Sequence, residues 1–133
     1  MRNIVSAIVV AAALLAAPAS QARTRLSPEQ QLDKMLAGRQ AGEPVNCISL
    51  LDSQDTTVID KTAIVYGRGR TIWVNRPDNA RALDSDDILV TRLHTSQLCS
   101  LDTVNLRDRF ARMNTGFVNL NKFVPYRRVA LRN

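Results

Sequence analysis

The sequence contains few of the side chains that metal and redox sites require. Its 133 residues include two cysteines and one histidine, which cannot complete the usual four-ligand structural zinc site without carboxylates. The two cysteines, Cys47 and Cys99, lie too far apart in the chain for the C-x-x-C motif of thiol oxidoreductases. We therefore expect neither a bound metal nor another cofactor.

The chain also lacks an apolar run long enough to cross a membrane. Its longest run covers residues 4–17, about 14 residues, whereas a membrane-spanning helix needs about 20. Arg2 precedes this run and small residues up to Ala22 follow it, which is typical of a secretory signal peptide. We predict a signal peptide over residues 1–22 with cleavage after Ala22, and a second A-x-A match ends at Ala19. No cysteine directly follows the run, so we expect neither a lipid anchor nor a transmembrane anchor on the cleaved protein.

Export determines how the two cysteines are interpreted. Residues 23–133 have the length of a single domain, and disulfides form in the oxidising compartments outside the cytoplasm. We predict a periplasmic or secreted protein in which Cys47 and Cys99 form a structural disulfide. Nucleic acid is not an expected partner in such a compartment, and the chain has no basic motif interleaved with aromatic residues.

A short helix is predicted near the start of the exported domain, over residues 27–39. Ser27 is a good N-cap, and Gln30 completes the spacing of a capping box. An apolar stripe follows at helical spacing, formed by Leu32, Met35 and Leu36. The stripe predicts that one face of this helix packs on a sheet.

After Pro44 the sequence changes to short β-branched and apolar segments separated by turn residues, the pattern of an antiparallel sheet. The predicted strands are residues 45–51, 57–60, 63–66, 71–75, 88–93 and 117–124. The glycines of Gly67-Arg68-Gly69-Arg70 predict a turn that joins its flanking strands as a hairpin. Residues 102–113 fit a strand or part of a helix, and both assignments stay open.

These elements predict a mainly β fold, with α+β as the alternative class. Five to six strands and one short N-terminal helix fit a small antiparallel sheet or a partly open barrel. Most gaps between the predicted strands are too short to hold the crossover helices of a parallel α/β sheet.

The order of several short motifs resembles a family of small exported proteins from Gram-negative bacteria, classified as a domain of unknown function. The motifs are Cys47-Ile48, Val58-Ile59-Asp60, Ile64-Val65-Tyr66, Val74-Asn75-Arg76-Pro77, Asp87-Ile88-Leu89-Val90, Gln97-Leu98-Cys99-Ser100-Leu101-Asp102 and Phe123-Val124-Pro125-Tyr126. The resemblance implies a periplasmic setting and the pairing of Cys47 with Cys99. It supplies no activity and no catalytic residues.

The positive charge of the chain comes mainly from arginine. Eighteen basic residues outnumber 12 acidic ones, and only three of the basic residues are lysines. The candidate anion-binding residues are Arg68 and Arg70 at the predicted hairpin tip, Arg107, Arg109 and Arg112 in one stretch, and Arg127 and Arg128 near the C-terminus. Guanidinium groups pair with carboxylates and phosphates, so these arginines either pair with the protein's own acids or bind an external anion, such as a lipid headgroup.

His94 is the chain's one histidine, and Ser96 lies two positions away, on the same face if the segment is a strand. Together with the aspartates at 86, 87 and 102 they supply the components of a hydrolase site. A small enzyme that uses His94 is therefore the alternative to a binding domain. The chain has no G-x-S-x-G motif to expose a nucleophilic serine.

Three aspartates, Asp84, Asp86 and Asp87, resemble part of a calcium-binding loop. The glycine and the distal glutamate of such a loop are missing, and an apparent strand begins at Ile88. We interpret the three residues as a solvated turn between strands.

The sequence contains no complete catalytic set, and we name no catalytic residue. We expect a non-catalytic binding or interaction domain of the periplasm or cell envelope. Its expected partner is an envelope protein or an anionic surface.

Overall fold

The computed structural model describes residues 24–130, so the predicted signal peptide over 1–22 lies outside the described residues. Within that range the chain forms one α-helix, α1 (Pro28–Leu36), and ten β-strands. The strands are β1 (Arg39–Ala41), β2 (Cys47–Ser49), β3 (Thr56–Ile59), β4 (Ala63–Tyr66), β5 (Thr71–Asn75), β6 (Asp87–Thr91), β7 (Gln97–Cys99), β8 (Thr103–Asp108), β9 (Asn114–Asn119) and β10 (Phe123–Arg128). A short 3-10 helix, Ala80–Ala82, lies between β5 and β6. The predicted mainly β class is confirmed.

The strands form three antiparallel sheets that do not close into a barrel. The largest has the order β1-β10-β5-β4-β3, the second has the order β6-β8-β9, and the third is the pair β2-β7. The ten strands exceed the predicted five to six. The short strands β1 and β7 lie outside the predicted segments and pair with the distant β10 and β2. In addition, β8 lies in the segment 102–113, and the segment 117–124 includes parts of two strands.

The centre of the five-stranded sheet is buried on both faces. All four residues of β4 are buried, and the alternation of the strand divides them between two apolar clusters. Ile64 and Tyr66 face a cluster shared with the two smaller sheets, where the Tyr66 ring meets Phe123 edge to face at 5.7 Å between ring centroids. Ala63 and Val65 face the cluster that α1 covers. The sheet is therefore the middle layer of the domain.

The helix begins as predicted and ends earlier. Ser27 and Gln30 form the capping box, and Leu32 of the apolar stripe is fully buried against the sheet. The helix ends at Leu36 instead of continuing to residue 39, because Gly38 adopts a left-handed conformation with φ of 72° and Arg39 enters β1.

The predicted hairpin between β4 and β5 is confirmed, with Gly67 and Gly69 at φ of 81° and 96°. The single strand predicted over residues 117–124 is wrong, since β9 and β10 are separate strands. Between them the backbone N–H of Asn121 donates to the buried side chain of Asn75 at 3.1 Å, and the Asn75 amide donates back to the Asn121 carbonyl. These two hydrogen bonds hold the connection between β9 and β10 against the end of β5.

Residues 102–113, for which the sequence favours neither strand nor helix, form strand β8 and the tip of its hairpin with β9.

Part of the outer edge of β9 is paired with a side chain. Asn79 donates to the carbonyl of Phe117 at 2.8 Å and accepts from the N–H of Asn119 at 3.0 Å. The amide of Asn79 thus takes the position of a neighbouring strand.

The predicted disulfide is confirmed. Cys47 of β2 and Cys99 of β7 lie directly opposite each other in the antiparallel pair and are bonded. The next cross-strand pair, Ile48 and Leu98, is buried in the cluster shared by the sheets. The bridge therefore fixes the β2-β7 pair onto the main core.

None of the helices in residues 24–130 has the length and apolar character needed to span a bilayer.

We expect replacement of both cysteines by alanine to lower the free energy of unfolding by roughly 4 kcal/mol. The bridge closes a loop of 52 residues, and its removal restores that freedom to the unfolded chain. Urea unfolding of the oxidised protein and of the Cys47→Ala/Cys99→Ala variant measures the difference. Equal stability of the two proteins would contradict the expectation.

Burial raises the pKa of Tyr66 above its ordinary value. In the unfolded chain tyrosines ionise at about pH 10, whereas in the folded protein the phenol of Tyr66 stays neutral to higher pH. The resulting stability is fully present below about pH 10 and is lost as the pH rises towards the folded pKa. We expect the free energy of unfolding to fall less steeply above about pH 10 in Tyr66→Phe than in the parent protein, as measured by urea unfolding at several pH values. Parallel pH profiles would show that Tyr66 is not the cause.

Candidate anion-binding groove

A groove of about 520 Å³ lies where the end of α1, the tip of the β4-β5 hairpin and the end of β10 meet. Four basic side chains line it: Lys34, Arg39, Arg68 and Arg128. Of the described residues that line the groove, Asp55 alone carries a carboxylate. Met35 and Ile72 add apolar surface to the wall. We call this cavity the basic groove.

Arg39 holds the three walls of the basic groove together through backbone carbonyls. Its Nε donates to the carbonyl of Met35 in the last turn of α1 at 3.2 Å. Its Nη atoms donate to the carbonyls of Gly69 and Arg70 at the hairpin tip, at 2.8 and 3.1 Å. The Arg70 carbonyl also accepts from the backbone N–H of Arg128. A single guanidinium fork thus positions the helix end and the hairpin tip on either side of β10.

Positive charges are concentrated in the basic groove. Arg39 and Arg128 are opposite partners in the β1-β10 register, so their side chains leave the sheet on the same face. Partial burial lowers the pKa of Arg39, and the neighbouring charge of Arg128 lowers it further. The second of these causes is a repulsion between like charges, and a bound anion would relieve it.

The protein's own acids neutralise little of this charge. Asp55 accepts two hydrogen bonds from Arg68, at 2.7 and 3.1 Å, and this exposed pair accounts for the one carboxylate in the wall. Within residues 24–130 Lys34, Arg39 and Arg128 form no ion pair, since the second salt bridge of that range joins Arg76 to Glu29 elsewhere. No carboxylate of the described residues therefore neutralises these three cationic groups.

The seven arginines proposed from the sequence do not share one surface. Arg68 and Arg128 line the basic groove, whereas Arg127 lies opposite Gln40 and points to the other face of the sheet. The remaining group lines a different groove of about 340 Å³ on the three-stranded sheet, and consists of Arg107, Arg109 and Arg112. Arg70 does not line the basic groove, but its backbone carbonyl accepts hydrogen bonds from Arg39 and Arg128.

Sequence reasoning missed Lys34 and Arg39. The apolar stripe of the helix indicates which face Lys34 avoids, but nothing in the sequence marks the pairing of β1 with β10. The sequence pattern places Arg39 at the C-terminal end of the predicted helix, where a basic residue is favourable whether or not it has another function.

The residues proposed for a hydrolase do not form a catalytic array in the described part of the chain. His94 and Ser96 are exposed in the connection between β6 and β7, and no hydrogen bond within residues 24–130 joins them to each other or to a carboxylate. Asp87 instead accepts from the hydroxyl of Thr115 at 2.8 Å, and Asp102 accepts from the backbone N–H of Cys99 at 2.7 Å. Both carboxylates have structural roles.

The aspartates between the 3-10 helix and β6 also face different partners. Asp84 accepts from the N–H of Asp86 at 2.9 Å, which closes the turn, while Asp87 is buried against Thr115. No group of three or more potential metal ligands of the His, Cys, Asp or Glu type occurs in residues 24–130. Asp84 and Asp86 belong to a turn, as predicted, whereas the prediction is wrong for Asp87, which is the buried first residue of β6.

The chain matches no protein-family model, and comparison with curated proteins and with solved structures finds no significant similarity. The membership of the family that the motifs resemble stays a prediction.

We expect Arg39→Lys to destabilise the protein by about 1–2 kcal/mol. A lysine ammonium lacks the planar guanidinium fork with which Arg39 donates to several backbone carbonyls at once, so some of these hydrogen bonds are lost. The matched control is Arg81→Lys on the exposed 3-10 helix, with an expected change within about 0.5 kcal/mol. Urea unfolding of both variants measures the effect. An Arg39→Lys protein as stable as the parent would contradict the positioning role of Arg39.

Proposed function

We propose that this protein is a non-catalytic binding domain of the bacterial periplasm, and that its basic groove binds an anionic group of another envelope component. The observation that carries the proposal is the juxtaposition of Arg39 and Arg128 beside Lys34, with no carboxylate of residues 24–130 paired to them.

The proposed compartment is supported by two features of the chain. The Cys47 to Cys99 disulfide is typical of oxidising compartments outside the cytoplasm. The first 22 residues have the pattern of a secretory leader. Membership of the exported Gram-negative family that the motifs resemble is part of the same proposal.

The chemistry of the basic groove favours an anion with several oxygen atoms. Guanidinium groups donate two parallel hydrogen bonds to a phosphate or a carboxylate, and Lys34 adds a point charge at the rim. The volume of about 520 Å³ is in the range of small-ligand sites, and the apolar surface of Met35 and Ile72 suits a ligand with a short apolar portion. Because the groove is open to solvent, salt should weaken the interaction.

Arg39 has a structural role in the basic groove, whereas Lys34 and Arg128 supply its free hydrogen-bond donors. The Arg39 side chain already donates to four backbone carbonyls, so it contributes charge and keeps the walls in place. Lys34 and Arg128 retain unoccupied side-chain donors among the described residues. Binding is therefore expected to depend on Lys34 and Arg128, and stability on Arg39.

We expect Lys34→Gln/Arg128→Gln to bind inorganic pyrophosphate about tenfold more weakly than the parent protein at low salt, since it loses charge-assisted hydrogen bonds. Isothermal titration calorimetry measures the affinity. The matched control is Lys122→Gln/Arg81→Gln, which removes the same charges from exposed positions outside the basic groove.

The control variant is expected to bind pyrophosphate as the parent does. Equal weakening in both double variants would show a response to net charge alone and would remove the basic groove as the site. Absence of pyrophosphate binding by the parent protein at low salt would contradict the anion-binding proposal.

A further inference from the structure

The tip of the β8-β9 hairpin exposes large apolar side chains. Phe110 is 83% exposed and Met113 is 67% exposed, although both are residue types that are usually buried. Two of the chain's three phenylalanines, Phe110 and Phe117, are exposed in this region, whereas Phe123 is fully buried in the core. Exposed apolar groups that cluster on one part of a surface indicate an interaction site.

Further exposed apolar side chains lie on the outer face of the three-stranded sheet, from which the hairpin tip extends. The register places Val90, Asn105 and Phe117 in one row across β6, β8 and β9, on the same face of the sheet. Ile88 lies opposite Arg107 in the next row. Ile88, Val90 and Phe117 are all exposed.

The other face of this sheet is already buried in the main core through Leu106 and Val118. An antiparallel sheet with one solvated face normally alternates apolar residues inside with polar residues outside. Here apolar residues lie on both faces, so the outer face has the character of a covered surface.

Positive charge surrounds this apolar surface. Arg107, Arg109 and Arg112 line one groove together with Ile88 and Val90. Within residues 24–130 none of the three arginines forms an ion pair. Arg109 makes a long contact of 3.4 Å with the carbonyl of Asp86, which leaves most of its donors unoccupied.

The one carboxylate among the described residues that line this groove has another role. The Oδ1 atom of Asp108 accepts hydrogen bonds from the backbone N–H groups of Phe110 and Ala111. The backbone N–H of Asp108 donates to the carbonyl of Met113, and the carbonyl of Asp108 accepts from the N–H of Arg112, both at 2.9 Å. Asp108 thus shapes the hairpin tip instead of neutralising an arginine, and the tip presents Phe110 and Met113 on a closed turn.

We propose that the hairpin tip and the outer face of the three-stranded sheet bind the surface of an anionic lipid bilayer. Phe110 and Met113 enter the boundary between headgroups and acyl chains, and the guanidinium groups of Arg107, Arg109 and Arg112 bind the lipid phosphates. Apolar side chains at a protruding tip with arginines around them match the two layers of a bilayer surface. This site is separate from the basic groove, and the proposal does not depend on the groove.

The test is cosedimentation of the protein with vesicles of phosphatidylglycerol and phosphatidylcholine in equal amounts, and with vesicles of phosphatidylcholine alone. The parent protein is expected to bind the anionic vesicles at low salt and to dissociate as salt rises. Phe110→Ser/Met113→Ser is expected to bind about tenfold more weakly, because it loses most of the apolar area that enters the bilayer.

The matched control is Leu51→Ser/Leu101→Ser. These leucines are 79% and 95% exposed on turns outside the three-stranded sheet, so the variant removes a similar apolar area from another surface. It is expected to bind the vesicles as the parent does. Because all four side chains are exposed, both variants should fold, and equal thermal unfolding midpoints confirm that.

Several outcomes would overturn the proposal. One is the failure of the parent protein to bind anionic vesicles at low salt. Another is unchanged binding by the Phe110→Ser/Met113→Ser variant together with a loss in Lys34→Gln/Arg128→Gln, which would assign lipid binding to the basic groove. A third is a protein dimer that depends on Phe110 and Met113 without vesicle binding, since the apolar tip would then be covered by a second copy.

Discussion

The burial of the central strand β4 on both faces of the five-stranded sheet is the constraint that organises the rest of the structure. Every side chain of β4 is removed from water, two into the cluster under α1 and two into the cluster shared with the smaller sheets. A strand in this position has no solvated face, so a shift of register by one residue would exchange the two clusters. The positions of the helix end, the hairpin tip and β10 follow from this sheet, and the basic groove lies where they meet.

Two sites of different character each bring together several basic side chains that form no ion pair within residues 24–130. In the basic groove the charge lies beside a fixed network in which Arg39 binds carbonyls and Lys34 and Arg128 remain available. On the three-stranded sheet the arginines line a groove together with the exposed apolar side chains of Ile88 and Val90. The first environment favours a small polar anion and the second an extended amphiphilic surface, so one basic composition supports two recognition chemistries.

The features that were predictable from the sequence are those with local signals. The capping box at Ser27, the glycine turn after β4 and the pairing of the cysteines each depend on a few residues or on the compartment. The break between β9 and β10 also has a signal, since the alternation through Leu120 does not continue to Phe123. The meeting of Arg39 with Arg128 has none, because it depends on the register of two strands from opposite ends of the domain.

The amide of Asn79 has a consequence for self-association. An edge strand presents free N–H and carbonyl groups that can pair with another chain, which is a common route to aggregation. By bonding to Phe117 and Asn119, Asn79 withdraws that pair of groups from β9. Part of the β9 edge of the three-stranded sheet is thereby closed to pairing with a strand of another copy.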